Sequence, residues 1–228
     1  MNRCKKGVKV VLVCLFSLCA VVGALVVGAA LGGRGYLRVD IDNEYYFLVK
    51  DCEETSVSAV AGDIYLSGGA GYYLEGENSV AIACYFKAAS AESVKANLGD
   101  KGGDVRVFVR KTAPLTLKGK AVSARDRIVA NAETADSLAR LLYDTANGLE
   151  QAKLSQTEAR SALVGAVSSL GGLIAENGEG VFSLWNTALK EAQRRGVELI
   201  EGLLFQKDIR YLQTLLCDRI VNIAEYFV

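Results

Sequence analysis

The feature that most constrains this chain is a run of 24 uncharged, mostly apolar residues at 10–33. A helix of that length is about 36 Å long, enough to cross a hydrocarbon layer of about 30 Å with modest tilt. Residues 1–9 carry four Lys/Arg, and positive charge favours the cytoplasmic side. The sequence predicts a cytoplasmic tail at 1–9, a transmembrane helix at 10–33 and a single-pass cell-membrane protein whose body is extracytoplasmic. The alternative is a cleaved signal peptide, which has a shorter apolar region of roughly 7–15 residues.

Charge and composition exclude several classes of function. Residues 1–39 carry six Lys/Arg and no Asp/Glu, whereas the rest of the chain carries 20 Lys/Arg against 26 Asp/Glu. A mildly acidic body is a poor match for nucleic acid, which needs clustered positive charge. The chain contains no His, which removes the commonest general base and the commonest zinc ligand. We therefore expect no nucleic-acid partner, no cofactor and no metal site.

Sequence motifs of enzymes are weak in this chain. The Gly-rich stretches 68–71 and 99–103 precede predicted strands, whereas a phosphate-binding loop follows a strand and opens a helix. Glu53 and Glu54 stand at a predicted helix start, where carboxylates complement the helix dipole. The sequence therefore predicts a protein that is not an enzyme.

Residues 44–112 show an alternation of strands and helices that repeats once. Aromatic, β-branched or alternating residues predict strands at 45–50, 70–75, 79–86 and 104–111. Apolar residues at helical spacing predict helices at 55–67 and 90–98. The order βαββαβ favours a ferredoxin-like module with one four-stranded antiparallel sheet, both helices on one face and the other face open.

Residues 121–228 have helical periodicity throughout. Apolar residues recur at spacings of three, four or seven, as in Ile128, Ala135, Leu142 and Leu149. The predicted fold class is therefore α+β: an N-terminal transmembrane helix, the ferredoxin-like module and an all-α C-terminal helical bundle. Because each apolar stripe needs something to pack against, these helices are also candidates for binding protein partners or a second copy of the chain.

The middle module is similar to a SPOR domain, the sporulation-related repeat of bacterial envelope proteins. The similarity rests on the aromatic-rich opening strand Tyr-Tyr-Phe-Leu-Val at 45–49, and on the strand, Ser/Ala loop and Glu-containing helix at 80–98. It covers under a third of the chain. The resemblance implies a membrane-anchored envelope protein that binds peptidoglycan glycan strands through its open sheet face, at a division or sporulation septum.

The predicted glycan-binding face carries Tyr46 and Leu48 from the first strand, with Arg106 and Phe108 from the last strand. Sugars stack on aromatic rings and need polar groups beside them, which these side chains would supply. The alternative is an envelope scaffold for protein–protein interaction without glycan binding, whose sheet face is buried by its own helices or by a partner. A solvent-facing Tyr46 and Phe108 favour the first function, and a covered face favours the second.

Cys52 and Cys84 are candidates for a disulfide. The first and third strands of the module are expected to be parallel neighbours, with these two residues near matching ends, so a bond is conceivable if their Cα atoms come within about 7 Å. The alternative is two separate buried thiols. Cys217 has no evident partner in the sequence.

Overall fold

The computed structural model describes residues 36–98 and 104–227, and this part of the chain folds as α+β with seven α-helices and two antiparallel sheets. The strands are β1 (Leu37–Val39), β2 (Glu44–Asp51), β3 (Tyr72–Leu74), β4 (Ser79–Tyr85), β5 (Val105–Lys111) and β6 (Leu115–Leu117). The helices are α1 (Val57–Leu66), α2 (Ala88–Leu98), α3 (Lys120–Ser123), α4 (Arg125–Glu150), α5 (Gln156–Asn177), α6 (Ser183–Glu201) and α7 (Gln206–Val221).

The main sheet has the strand order β3-β4-β2-β5, and all its neighbours are antiparallel. Successive residues of a strand point to opposite faces, so Tyr45, Phe47 and Val49 of β2 face one side while Tyr46 and Leu48 face the other. β1 and β6 pair with each other in a separate two-stranded sheet. The main sheet therefore has two apolar faces, and each requires a cover.

Helices cover both faces of the main sheet. Leu48 packs with Ala91 and Val94 of α2 on the first face. On the second face, Phe47 and Cys84 join one continuous core with the long helices α4 and α7. The C-terminal helices are therefore part of the same core as the sheet.

The apolar stripe of α7 is used entirely inside the chain. Its stripe residues are fully buried: Ile209, Leu212, Leu216 and Ile220. Trp185 of α6 is also fully buried, and its indole N–H donates to Asn131 at 3.2 Å. The stripe of α7, which the sequence offered as a docking surface, is thus occupied by packing within this one chain.

The predicted fold class and localisation both need correction. Within residues 36–98 and 104–227, no helix has the length and apolar character to cross a membrane. This finding contradicts the predicted transmembrane fold class and the single-pass membrane localisation. The residues assigned to the span, 10–33, and to the cytoplasmic tail, 1–9, lie outside the described residues.

Two further parts of the predicted architecture are wrong. The second sheet was not expected, because β1 and β6 are only three residues each and lie outside the predicted module. No face of the main sheet is open: the face of Tyr46 and Leu48, which was expected to be open, is covered by α2, and the opposite face is covered by α4 and α7. Its side chains Tyr45, Phe47 and Val49 are all fully buried, which removes more apolar surface from water than an open face would allow.

Candidate functional site

The four residues predicted to bind glycan lie on different faces of the sheet. Directly opposed residues of an antiparallel pair share a face. Leu48 is opposite Val107, so Leu48 and Tyr46 face α2, whereas Phe108 is opposite Phe47 and therefore faces the helices α4 and α7, as does Arg106. The predicted open-face site is therefore not assembled: Leu48 is fully buried, and Tyr46 and Phe108 are half-buried.

Arg106 belongs to a closed polar cluster at one end of the sheet. Its Nε donates to both carboxylate oxygens of Asp51, at 3.1 and 3.0 Å, and its Nη2 donates to Ser79 at 3.3 Å. Its guanidinium also lies 4.8 Å from the ring centroid of Phe108. Hydrogen bonds from Arg106 and Ser79 hold the pKa of the Asp51 carboxyl below its usual range. These groups satisfy one another in the free chain, while the Arg106 and Asp51 side chains remain partly exposed.

The outer edge of β5 carries backbone groups that point away from the sheet. The Thr112 N–H donates to the Asn43 carbonyl at 2.9 Å, which fixes the phase of the ladder between β2 and β5. In that phase the N–H groups of alternate residues point outward: Val105, Val107, Val109 and Lys111. No backbone group within residues 36–98 or 104–227 pairs with them. The opposite edge, β3, is only three residues long.

Side chains along this edge are apolar on one face and basic on the other. On the face shared with α2, Val109 is 44% exposed, and Val105 and Val107 are half-buried. The other face carries Arg106 and Arg110. Lys111, at the end of the strand, pairs with Glu44 at 3.3 Å but remains 67% exposed. The edge therefore combines backbone N–H groups that have no partner among the described residues, partly exposed β-branched side chains and positive charge.

Arg110 ties β5 to α7 through a buried ion pair. The Asp218 side chain is 5% exposed, and it accepts hydrogen bonds from Arg110 at 2.5 Å and from the Tyr72 hydroxyl at 2.9 Å. Arg110 also donates to Asn222 at 2.7 Å. Burial and the neighbouring Asp218 carboxylate raise the pKa of Tyr72. Asp218 therefore joins two strands of the sheet to the helix that covers them.

The candidate disulfide between Cys52 and Cys84 is not formed in the structure, which agrees with the alternative of two separate thiols. Both are free thiols. Cys84 is paired with Phe47, near the start of β2, whereas Cys52 follows the end of β2 and contacts the Asn78 carbonyl at 3.6 Å. The expectation assumed parallel strands, but β2 and β4 are antiparallel, which places the two residues at opposite ends of the strand pair.

Two surface cavities in the described part of the chain are small. One of about 290 Å³ is lined by Arg110 and Glu225 among others, and one of about 250 Å³ lies between α1 and α2, lined by Lys50, Asp63 and Leu98 among others. Residues 36–98 and 104–227 contain no group of three or more His, Cys, Asp or Glu placed to hold a metal ion. Neither cavity brings together groups that the sequence singled out for chemistry.

Comparison with known proteins gives no match, whether with family models, with curated proteins or with solved structures. Function must therefore be argued from the geometry of this chain. The strongest feature is the edge of β5, which the sequence did not single out. Its alternating run was visible at 104–111, but the position of the strand at the sheet edge depends on strand order.

Alkaline pH should destabilise the fold because buried tyrosines resist ionisation. The contribution of one of them, Tyr85, can be measured by substitution. Burial raises the pKa of Tyr85 to about 12, whereas an unfolded tyrosine has a pKa of about 10. Above pH 10 the unfolded chain loses this proton and the folded chain keeps it, so stability falls as pH rises, by about 1.4 kcal/mol per pH unit for one proton. We expect Tyr85→Phe to show a smaller loss between pH 10 and 11.5 in urea unfolding followed by circular dichroism.

The matched control for this prediction is Tyr36→Phe, because Tyr36 is 72% exposed. That variant should lose stability with the same slope as the parent chain. Equal slopes for the parent and Tyr85→Phe would contradict the prediction.

Proposed function

We propose that this chain is a non-catalytic interaction module that binds an extended segment of a partner protein along the free edge of β5. The observation that carries the proposal is the row of outward N–H groups on β5, which has no backbone partner among the described residues. An extended peptide that joins a sheet edge gains main-chain hydrogen bonds, and its alternate side chains supply specificity. Seven residues of β5 offer a longer template than the three residues of β3.

The composition of β5 favours a different protein over a second copy of this chain. Val107 and Val109 flank Phe108, and Arg106 and Arg110 flank them in turn. Two antiparallel copies centred on Phe108 would place Arg106 opposite Arg110 of the other copy. Like charges in directly opposed positions destabilise a strand pair, and positive charge on edge strands is a known device against self-pairing.

The same composition defines the chemistry of the bound segment. Alternate residues of the segment would contact Val107 and Val109, where β-branched side chains pack well. The intervening residues would lie on the opposite face, beside Arg106, and carboxylates are favoured there as they are beside Lys111 at the end of the valine face. The present ion pairs of these two cations with Asp51 and Glu44 are 34–67% exposed, and exposed pairs of this kind contribute little and exchange readily. We therefore expect an extended segment in which β-branched and acidic residues alternate.

Glycan-strand binding in a cell envelope, implied by the resemblance to SPOR domains, stays a prediction. The covered sheet face and the separation of Tyr46 from Phe108 favour the protein-interaction scaffold instead. The binding surface that we propose is the edge of the sheet at β5, whereas the resemblance implied a face of the sheet.

Selection from a random-peptide library against the full chain tests the proposal without a known partner. The informative pair of variants is Val109→Pro and Val109→Thr. Proline removes an outward N–H that the β2 ladder does not use and is tolerated on edge strands, whereas Thr keeps the N–H and the β-branched shape. Enriched peptides should alternate β-branched and acidic residues, bind the Thr variant like the parent, and bind the Pro variant at least about tenfold more weakly, as the loss of one or two hydrogen bonds predicts.

Amide hydrogen exchange on the parent chain provides a second readout if Val109→Pro folds poorly. Bound peptide should slow exchange at Val105, Val107 and Val109, whose N–H groups point outward. The proposal is wrong if no peptide is enriched, or if enriched peptides leave these three amides unprotected.

A further inference from the structure

Two buried cysteines meet where β4 contacts α7. Cys84 lies in the centre of the sheet and Cys217 lies on α7, and both are fully buried in the same apolar core. The side-chain amide of Gln213, itself 1% exposed, lies 3.3 Å from the Cys84 carbonyl oxygen and 3.3 Å from the Cys217 sulfur. One buried amide thus bridges the two cysteines, which are far apart in the sequence.

The environment of Cys217 favours its protonated thiol in the folded chain. Burial, together with the side-chain hydrogen bond between Cys217 and Cys84, raises the pKa of Cys217 well above its usual value. The thiolate is the species that attacks a disulfide, so Cys217 should react slowly in the folded chain, and the burial of both cysteines keeps external disulfides away from them. Reaction is expected while the chain folds, before α7 closes over β4.

We propose that Cys84 and Cys217 form an intramolecular disulfide that joins the sheet to α7 when the chain folds in the presence of a low-molecular-weight disulfide such as oxidised glutathione. One cysteine thiolate attacks a glutathione sulfur, releases one glutathione thiol and leaves a mixed disulfide. The second cysteine thiolate then displaces the second glutathione. Two protons leave the cysteines, and their two electrons reduce glutathione disulfide to two thiols.

Peptide mapping of the full chain tests this bond. The reduced, denatured chain is refolded in a glutathione redox buffer, free thiols are alkylated, and the product is cut without reduction. Trypsin alone leaves Cys52 and Cys84 on one peptide, residues 51–87, so cleavage after Glu77 is needed to separate them. We expect residues 78–87 to be linked to residues 211–219 with the loss of two hydrogens.

Thermal unfolding supplies the second readout. The linked form should melt roughly 5–15 °C above the reduced form, as expected for a bond that closes a long loop in a chain of this size. Cys52→Ser should keep both the cross-link and the shift, whereas Cys217→Ala should lose both. Recovery of Cys84 and Cys217 as alkylated or glutathione-bound residues, under conditions where Cys52 reacts, would overturn the proposal. None of these readouts depends on peptide binding at β5.

Discussion

Replacing Asp218 by Ala is expected to lower the free energy of unfolding by about 3–5 kcal/mol, because removing one partner of a buried ion pair leaves the other charge uncompensated. Arg110 is only 14% exposed at its side chain and would lose its 2.5 Å contact with Asp218. The Tyr72 hydroxyl would lose its acceptor as well. Because these groups lie between the sheet and α7, the substitution should weaken the packing of α7 on the sheet.

Urea unfolding followed by the fluorescence of Trp185 measures this loss cleanly. Trp185 is the only tryptophan and is fully buried, so its emission reports the helical core. Glu198→Ala is the matched control, because Glu198 also accepts hydrogen bonds from two arginines but its side chain is 42% exposed. Pairs of that kind contribute about 0–1 kcal/mol. Similar losses for the two variants would contradict the buried role of Asp218.

Local pattern was sufficient to place the elements of the middle segment. Alternation at 104–111 predicted β5, and the observed strand is Val105–Lys111. Helical spacing at 55–67 predicted α1, and the observed helix is Val57–Leu66. These signals are local because the backbone geometry of a strand or a helix sets how often a side chain returns to the same face. Glycine residues that end an element are likewise visible in the local sequence.

The local sequence pattern could not predict which face of the sheet each side chain occupies. A bulge between Leu48 and Val49 shifts the register with β4, so that Ala83 pairs with Leu48 while Ala81 pairs with Val49. Ala81 and Ala83 therefore face opposite sides, although residues two apart normally share a face. The bulge leaves no mark in the sequence.

The remaining errors concern residues that are far apart in the sequence and close together in the fold. Cys217 gave no hint of a partner because Cys84 lies in another part of the chain, and only the packing of α7 on β4 brings them together. The edge position of β5 likewise follows from strand order. Helices with strong apolar stripes indicate that something is buried, but the stripe of α7 does not identify the sheet as what it buries.

Leu48→Ala should lower the free energy of unfolding by about 2–5 kcal/mol, which is the usual cost of truncating a fully buried leucine. Leu48 is 0% exposed and packs with Ala83, Tyr85 and Ala91. The sequence placed the same residue on an open glycan-binding face, where truncation would cost little stability. Urea unfolding therefore distinguishes the two descriptions of this face with a single substitution.

Val109→Ala is the control for Leu48→Ala, since Val109 lies on the same face of the sheet but is 44% exposed. It should cost less than about 1 kcal/mol, because surface truncations rarely cost more. Co-sedimentation of both variants with purified peptidoglycan sacculi adds the functional readout. A Leu48→Ala chain that keeps its stability and loses sacculus binding would contradict the covered face and restore the glycan hypothesis. A Leu48→Ala chain that is strongly destabilised, beside a Val109→Ala chain that is not, would support a sheet whose binding surface is its edge.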